Sequence, residues 1–356
     1  MSGRLDPRRF VPLAYAGLVG GLTLFTALIV YLGIGEIART LASAGVGLLW
    51  VSLFHLVPIG ASALGWYAVL APVERPALRT VVSARWIAES INQLLPALHI
   101  GGNVVRARRL ARSGVPGHLA GASVVVDITL HLFAQILFTV LGLSLLLAHF
   151  RGGGVDAGIL ASFVLALAAA GAFYLMQRRG LFSAIAVLLR GVFRSADWSS
   201  LAEDAGAMDA WIDRLYRHPR ALALAECWHV LSWLLGAGET WLALRFLGHP
   251  VELTSALVIE SLGEAIRTVA FPIPGALGVQ EGGFVLLGGV FGLTPGVSVA
   301  LSLAKRVREL ALGIPGLVVW QVEGAAAALA ARRAHSQRGA PVTVGRSRVD
   351  LGRPFG

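Results

Sequence analysis

The 356-residue chain is 56% hydrophobic and only 14% charged, with a mean hydropathy of +0.72 and a formal net charge of +10. Soluble domains carry roughly a quarter of their residues as charges, so this composition excludes a soluble fold and describes an all-α polytopic membrane protein. The single cysteine, Cys227, excludes an intrachain disulfide and a cysteine-based metal site, and arginines between apolar runs report topology rather than nucleic-acid binding.

Arg4, Arg8 and Arg9 precede a first span, Val11 to Gly33, which is too long for a signal-peptide core. A second runs from Val46 to Ala71 and carries His55, Pro58 and Trp66. Thr80 to Leu95 and Ala97 to Arg112 are each short of the ~20 residues needed to cross. Pro96 and Gly101-Gly102 interrupt them, which predicts a re-entrant helical hairpin. Span three, Leu119 to Phe150, sets Asp127, His131 and Gln135 on one helix face, and a polar stripe in lipid must look inward. Span four is Val155 to Met176. In the arginine-rich segment 177–220, apolar residues recur at helical spacing, giving either a helix on the membrane surface or a small docked cytoplasmic helix. Span five, Ala221 to Leu247, contains Glu226, His229 and Glu239.

A second hairpin, 253–292, contains the stretch Glu264 to Gly283, which puts Glu264, Arg267 and Glu281 beside a Pro-x-Pro-Gly break in apolar sequence. Buried charge with broken helix is costly in lipid unless it lines a site, and Arg267, at i+3, is close enough to partner Glu264. Span six, Pro295 to Ala331, carries Lys305, Arg306, Arg308 and Glu309 and should kink at Pro315-Gly316. Lys305, the only lysine, can lose its proton where arginine cannot, making it a proton-coupling candidate. Residues 332–356 read as a basic disordered tail held near anionic headgroups. With no zinc-type histidine cluster, no Gly-x-Ser-x-Gly elbow and no phosphate loop, neither an enzyme nor a cofactor or metal is expected.

The halves repeat one another. At a constant offset of 175, Trp66 matches Trp241, Glu89 matches Glu264 and Ile91 matches Ile266; with small gaps His55 faces His229, Pro96 faces Pro272 and Asp127 falls opposite Lys305 or Arg306. The reading is a duplication, residues 1–150 and 151–331, each of three spans plus a hairpin. An odd number of crossings inverts the second copy. With both termini cytoplasmic, most of the 30 basic residues fall on the cytoplasmic side. Inverted copies would bring Asp127 and Lys305 or Arg306 to similar depth as a buried ion pair, the alternative being separate partners for each. Inverted repeats with broken helices near the midplane suit an alternating-access carrier.

Glu89-Ser-Ile-Asn-Gln-Leu-Leu-Pro96 with Ile100-Gly101-Gly102, and Phe271-Pro-Ile-Pro-Gly275 with Gly278 and Glu281, resemble the two signatures of the flippase-like family, the transmembrane region of lysylphosphatidylglycerol synthase. Over residues 10–330 the chain is most similar to the hopanoid-biosynthesis-associated membrane protein branch. The resemblance implies movement of a polar-headed lipid, such as a hopanoid, between leaflets of the cytoplasmic (inner) membrane. It carries Glu89, Asn92, Pro96, Gly101, Gly102, Pro272, Pro274, Gly275 and Glu281 over as substrate-binding positions. The full synthase adds a soluble aminoacyl-transferase domain that this sequence lacks, so only the transport half is expected. The rival readings are a non-transporting assembly factor that docks lipid-biosynthesis enzymes and a small-solute secondary carrier.

Overall fold

The computed structural model describes residues 23, 26, 34–95, 101–149, 171, 174–179, 198–270 and 273–338, without the side chains of 34, 36, 198–205, 274 and 327–338. Among these the regular structure is entirely helical: α1 (Ile34–Ala44), α2 (Gly47–Phe54), α3 (Leu56–Leu70), α4 (Leu78–Leu94), α5 (Gly101–Arg112), α6 (Gly117–His149), α7 (Trp198–Tyr216), α8 (Pro219–Phe246), α9 (Leu253–Val269), α10 (Val279–Val290) and α11 (Pro295–Arg338). Most of spans one and four, Pro96 and Pro272 lie outside the described residues.

Among the described residues, three stretches are long and apolar enough to cross a membrane: Gly47–Leu70, which is α2 and α3 together, Gly117–His149 and Pro219–Phe246. Their outer faces present Leu53, Val57, Leu137, Leu141, Leu224 and Leu231, while Asp127, His229 and Glu239 are buried inside. Lipid explains that inversion, since apolar side chains need no cover there and charges do. Helix α11 is longer still, and Lys305, Arg306, Arg308 and Glu309 interrupt its apolar sequence.

Packing centres on α8, which lies along α3 and touches α2, α6 and α9. Helix α4 pairs with α5 and lies on α11; α9 pairs with α10 and lies on α6. Both long contacts use glycine: a Cβ on Gly313 of α11 would come within 2.5 Å of Leu94, and one on Gly142 of α6 would overlap the Ser261 hydroxyl. Small residues let membrane helices approach where no hydrophobic force drives them together.

Several details differ from expectation. Span two is divided at His55, although its φ of −61° and ψ of −19° stay helical and its N–H and carbonyl keep their helical bonds to Val51 and Ile59, each at 3.2 Å. Pro58, three residues on, has no N–H to give to the Phe54 carbonyl, and Ser232 of α8 donates to the Pro58 carbonyl at 2.8 Å. Helix α11 continues through Pro315 and on to Arg338, so the expected tail does not begin at Arg332; residues 339–356 lie outside the described residues. Of the two readings of segment 177–220, the docked helix holds for α7. Met208, Trp211, Ile212, Leu215 and Tyr216 pack into the core beside α6. Tyr216 donates to Gln177 at 2.7 Å, which donates to Thr129 at 2.8 Å. Burial pushes the Tyr216 phenol up to about 12, so it remains a donor.

Candidate functional site

Two clusters of buried charge lie in the bundle. The first surrounds Asp127 on α6, fully buried, with Arg106 of α5 at 2.5 Å, Arg85 of α4 at 3.3 Å and His229 of α8 at 3.0 Å. The Arg106 guanidinium is also sheltered by the Trp66 ring at 4.8 Å. His131 lies 3.4 Å from His229 and stacks on Trp233, and Gln135 donates to Thr268 of α9 at 2.5 Å. The polar stripe of α6 thus looks toward α8 and α9.

The second cluster joins five helices around Arg308 of α11. Its Nη1 approaches both ring nitrogens of His55, at 2.6 and 2.7 Å, and its Nε lies 3.4 Å from Glu239 of α8. His55 Nε2 is 2.8 Å from Glu89 of α4, and its Nδ1 contacts Glu239. Gln93 donates to Glu89 at 3.0 Å. Beyond Arg308, Arg267 bridges Glu309 at 3.0 Å and Glu264 at 3.7 Å, so Glu309 is its closer partner. Lys305 pairs with Glu260 at 2.6 Å, and Thr240 donates to the same carboxylate at 2.5 Å.

The expected ion pair between Asp127 and Lys305 or Arg306 is therefore corrected. Asp127 takes Arg106, Arg85 and His229; Lys305 takes Glu260; Arg306 takes Glu281 at 2.9 Å. Each charge lies closer to a neighbouring helix of its own half than to its counterpart, and a buried ion is stabilised by contact rather than by shared depth.

The motif residues divide. Glu89, Glu264, Arg267, Arg308, Glu309 and Lys305 enter the second cluster, whereas others hold turns. Asn92 accepts the N–H of Gly102 at 3.0 Å, satisfying a donor in the first turn of α5. A Cβ on Gly102, the second of the Gly101-Gly102 pair, would overlap the Ala88 carbonyl, so glycine there lets α5 lie against α4. After α9, Ala276 N–H closes a turn on Ile273 O at 2.8 Å across Pro274 and Gly275, whose φ is +64°. Gly278, at φ +76°, donates to Glu281 at 2.7 Å. Glu281 is fully buried and also accepts from Ser302 and Arg306, each at 2.9 Å, while Arg306 donates to Gly275 O at 3.2 Å. Among the described residues of this break, backbone groups are met by Glu281 of α10, by Arg306 of α11 and by the local turn between Ala276 and Ile273.

Both signatures consequently sit at helix-pair turns flanking the buried charges, and the family model described as the lysylphosphatidylglycerol synthase TM region matches residues 18–316. The chain belongs to that family. As a member of the lysylphosphatidylglycerol synthase transmembrane-region family, it is a multi-pass membrane protein of lipid handling. No curated protein and no solved structure matches the chain.

Sequence reading did not select His55, Glu239, Glu260, Arg85, Arg106 or His229 as site residues. The available signals were ionisable side chains in otherwise apolar runs, a signal that points to function in lipid, and the proline just after His55.

Proposed function

We propose that the protein is a lipid translocator that moves a polar-headed lipid between leaflets of the cytoplasmic membrane, a hopanoid being the candidate substrate class. The observation that carries this reading is the second charge cluster. It places Glu89, Glu239, Glu264 and Glu309 with Arg267 and Arg308 where α4, α8, α9 and α11 meet, and membership of a lipid-handling family supports it. A polar headgroup passing through hydrocarbon needs such partners in place of water.

In this proposal the halves are inverted repeats, with both termini cytoplasmic and the hairpins entering from opposite sides. The contact pattern favours it: exchanging α3, α4, α5 and α6 for α8, α9, α10 and α11 turns the α4–α11 contact into the α9–α6 contact and the α4–α5 pair into the α9–α10 pair. The protein acts as a carrier rather than an enzyme, with anionic headgroups held at its basic C-terminal segment. The test is reconstitution of the full chain in liposomes with fluorescent phosphatidylethanolamine, phosphatidylglycerol or an amino-headed hopanoid. Leaflet exchange faster than in empty vesicles is expected. No acceleration with any headgroup, with or without a proton gradient, would overturn the translocator and leave an assembly role. Cysteine labelling checks topology once Cys227 is replaced: positions beside Gly152 and His249 should label from outside, and those beside Ser113, Ser199 and Ser336 should not.

A further inference from the structure

His55 has three polar partners for two ring nitrogens. Glu89 lies at Nε2, Glu239 at Nδ1, and the Arg308 Nη1 is within 2.7 Å of both. The chemistry of these groups makes the three contacts incompatible. A neutral imidazole donates from one nitrogen and accepts at the other, whereas an imidazolium donates from both; an ionised carboxylate only accepts and a guanidinium only donates. With a neutral ring, Arg308 can give a hydrogen to the free lone pair while one glutamate takes the ring N–H, leaving the second glutamate without a donor from the ring. With a charged ring, both glutamates are served and Arg308 faces two donors.

Arg308 has somewhere else to go. Its Nε is 3.4 Å from Glu239 and its Nη2 is 3.5 Å from Glu309, both longer than the contacts with His55. His55 itself stands at the junction of α2 and α3, three residues before Pro58, which has no N–H for the Phe54 carbonyl, so the side chain that changes partners lies beside a turn that lacks one helix hydrogen bond. We propose that His55 is a proton-binding site whose occupancy decides whether α11 is held to the α2–α3 junction. Deprotonated, the ring accepts from Arg308 and ties α11 to the junction. Protonated, it bridges Glu89 of α4 and Glu239 of α8, and Arg308 withdraws to Glu239 and Glu309.

The surrounding charges fit this assignment. Facing His55 are Glu89, with Arg85 one turn earlier on α4; Glu239 on α8; and Arg308 on α11, flanked by Lys305 and Glu309. Behind these, α9 contributes Glu260 to Lys305 and sets Glu264 and Arg267 beside Glu309. In this set Glu89, Glu239, Glu260, Glu264 and Glu309 outnumber the fixed cations Arg85, Arg267, Lys305 and Arg308. A proton on His55 reduces that surplus without any outside ion. Lys305, the candidate from sequence, is already neutralised at 2.6 Å by Glu260 and makes no second ion pair among the described residues. That the switch drives lipid movement rests on the translocator reading; that it exists does not.

The experiment separates the two. Full-length protein with 15N-labelled histidine is placed in nanodiscs, and the His55 resonance is assigned by its loss in His55→Gln. Spin labels at the exposed Leu53 and Val318 report the separation of α2 and α11. Between pH ~5 and ~8, the range in which histidine changes charge, His55 should titrate and the label distance should step at the same midpoint. The step should vanish in His55→Gln. Should that variant misfold, Arg308→Gln supplies the second arm, in which His55 still titrates but the distance no longer follows. A ring that does not titrate in that range, or titrates with no change in distance, overturns the switch. In liposomes, translocation of fluorescent phosphatidylethanolamine should vary with symmetric pH by up to about tenfold per unit on the limb where the active form is the minor one. Lipid movement without a pH step would sink the switch alone, and a pH step without lipid movement would sink the translocator alone.

Discussion

Around Asp127 two arginines and a histidine close on one carboxylate, whereas around Arg308 the carboxylates outnumber the cations and one histidine is contested by three partners. The same framework carries both. Arg85 and Glu260 are 175 positions apart, at the offset that relates Glu89 to Glu264, and each pairs with the last long helix of its own half: Arg85 with Asp127 on α6, Glu260 with Lys305 on α11. The sign of the pair is reversed. His229 and His55 also correspond, but His229 meets an acid on α6 while its counterpart meets Arg308 on α11. A histidine beside a carboxylate is satisfied, and one beside an arginine and two glutamates is not. The contrast assigns the first cluster to holding the bundle together and the second to changing its state.

The largest effect expected from that division is at Asp127. Asp127→Asn leaves Arg106, fully buried, and Arg85 without their counter-ion, and breaking a buried pair costs about 3–5 kcal/mol. Unfolding in mixed micelles should show that loss. Combining it with Lys305→Met should be additive within about 0.5 kcal/mol, as for sites without shared partners. Strong non-additivity would merge the two clusters and end the comparison. Next in size is the reversed pair itself: a cycle of Glu260→Gln and Lys305→Met should return a coupling of about 0.5–3 kcal/mol. A coupling of zero would mean that the 2.6 Å contact holds nothing.

How much of this was legible in the sequence follows from what each feature depends on. Spans two, three and five were readable because length and apolarity are properties of the local chain, and α6 and α8 begin within two residues of where apolar runs follow Pro116 and His218. The inward face of α6 followed from helical spacing. The partners did not, because an ion pair between helices depends on azimuth and vertical offset, and a repeat offset fixes depth but neither of these. Asp127 and Lys305 were matched by depth, yet Arg106 of α5 lies 2.5 Å from Asp127, and among the described residues no cation of α11 forms an ion pair with it. The junction at His55 was half legible: Pro58 signals a weakened turn, but only the approach of α4, α8 and α11 gives the ring its three partners.

A smaller effect separates structural from ligand roles in the second signature. Glu281→Gln keeps an acceptor for either the Gly278 N–H or the Ser302 hydroxyl, which use different carboxylate oxygens, and removes the charge facing Arg306. Unsatisfied buried partners of this kind cost about 1–3 kcal/mol. The expected outcome is a loss in that range with the pH response of His55 unchanged, because Glu281 makes none of the ion pairs that surround His55 and Arg308. A shift in the His55 midpoint would instead join this turn to the switch and blur the division between holding and moving parts.

The smallest expected effect is at Asn92, in the matching turn of the first half. Its side chain serves a single backbone donor, Gly102 N–H at 3.0 Å, where Glu281 serves three groups. Removing a cap of this type costs about 0.5–2 kcal/mol. Asn92→Ala should therefore destabilise modestly, and Asn92→Asp, which keeps the accepting oxygen, should restore most of the loss. Transport should fall only in proportion to the folded protein that remains, since the oxygen already engaged with α5 is not free for a headgroup. If Asn92→Ala instead abolished lipid movement with the unfolding free energy unchanged, Asn92 would be a ligand contact, and the first signature would return to the substrate-binding role that the family resemblance implies.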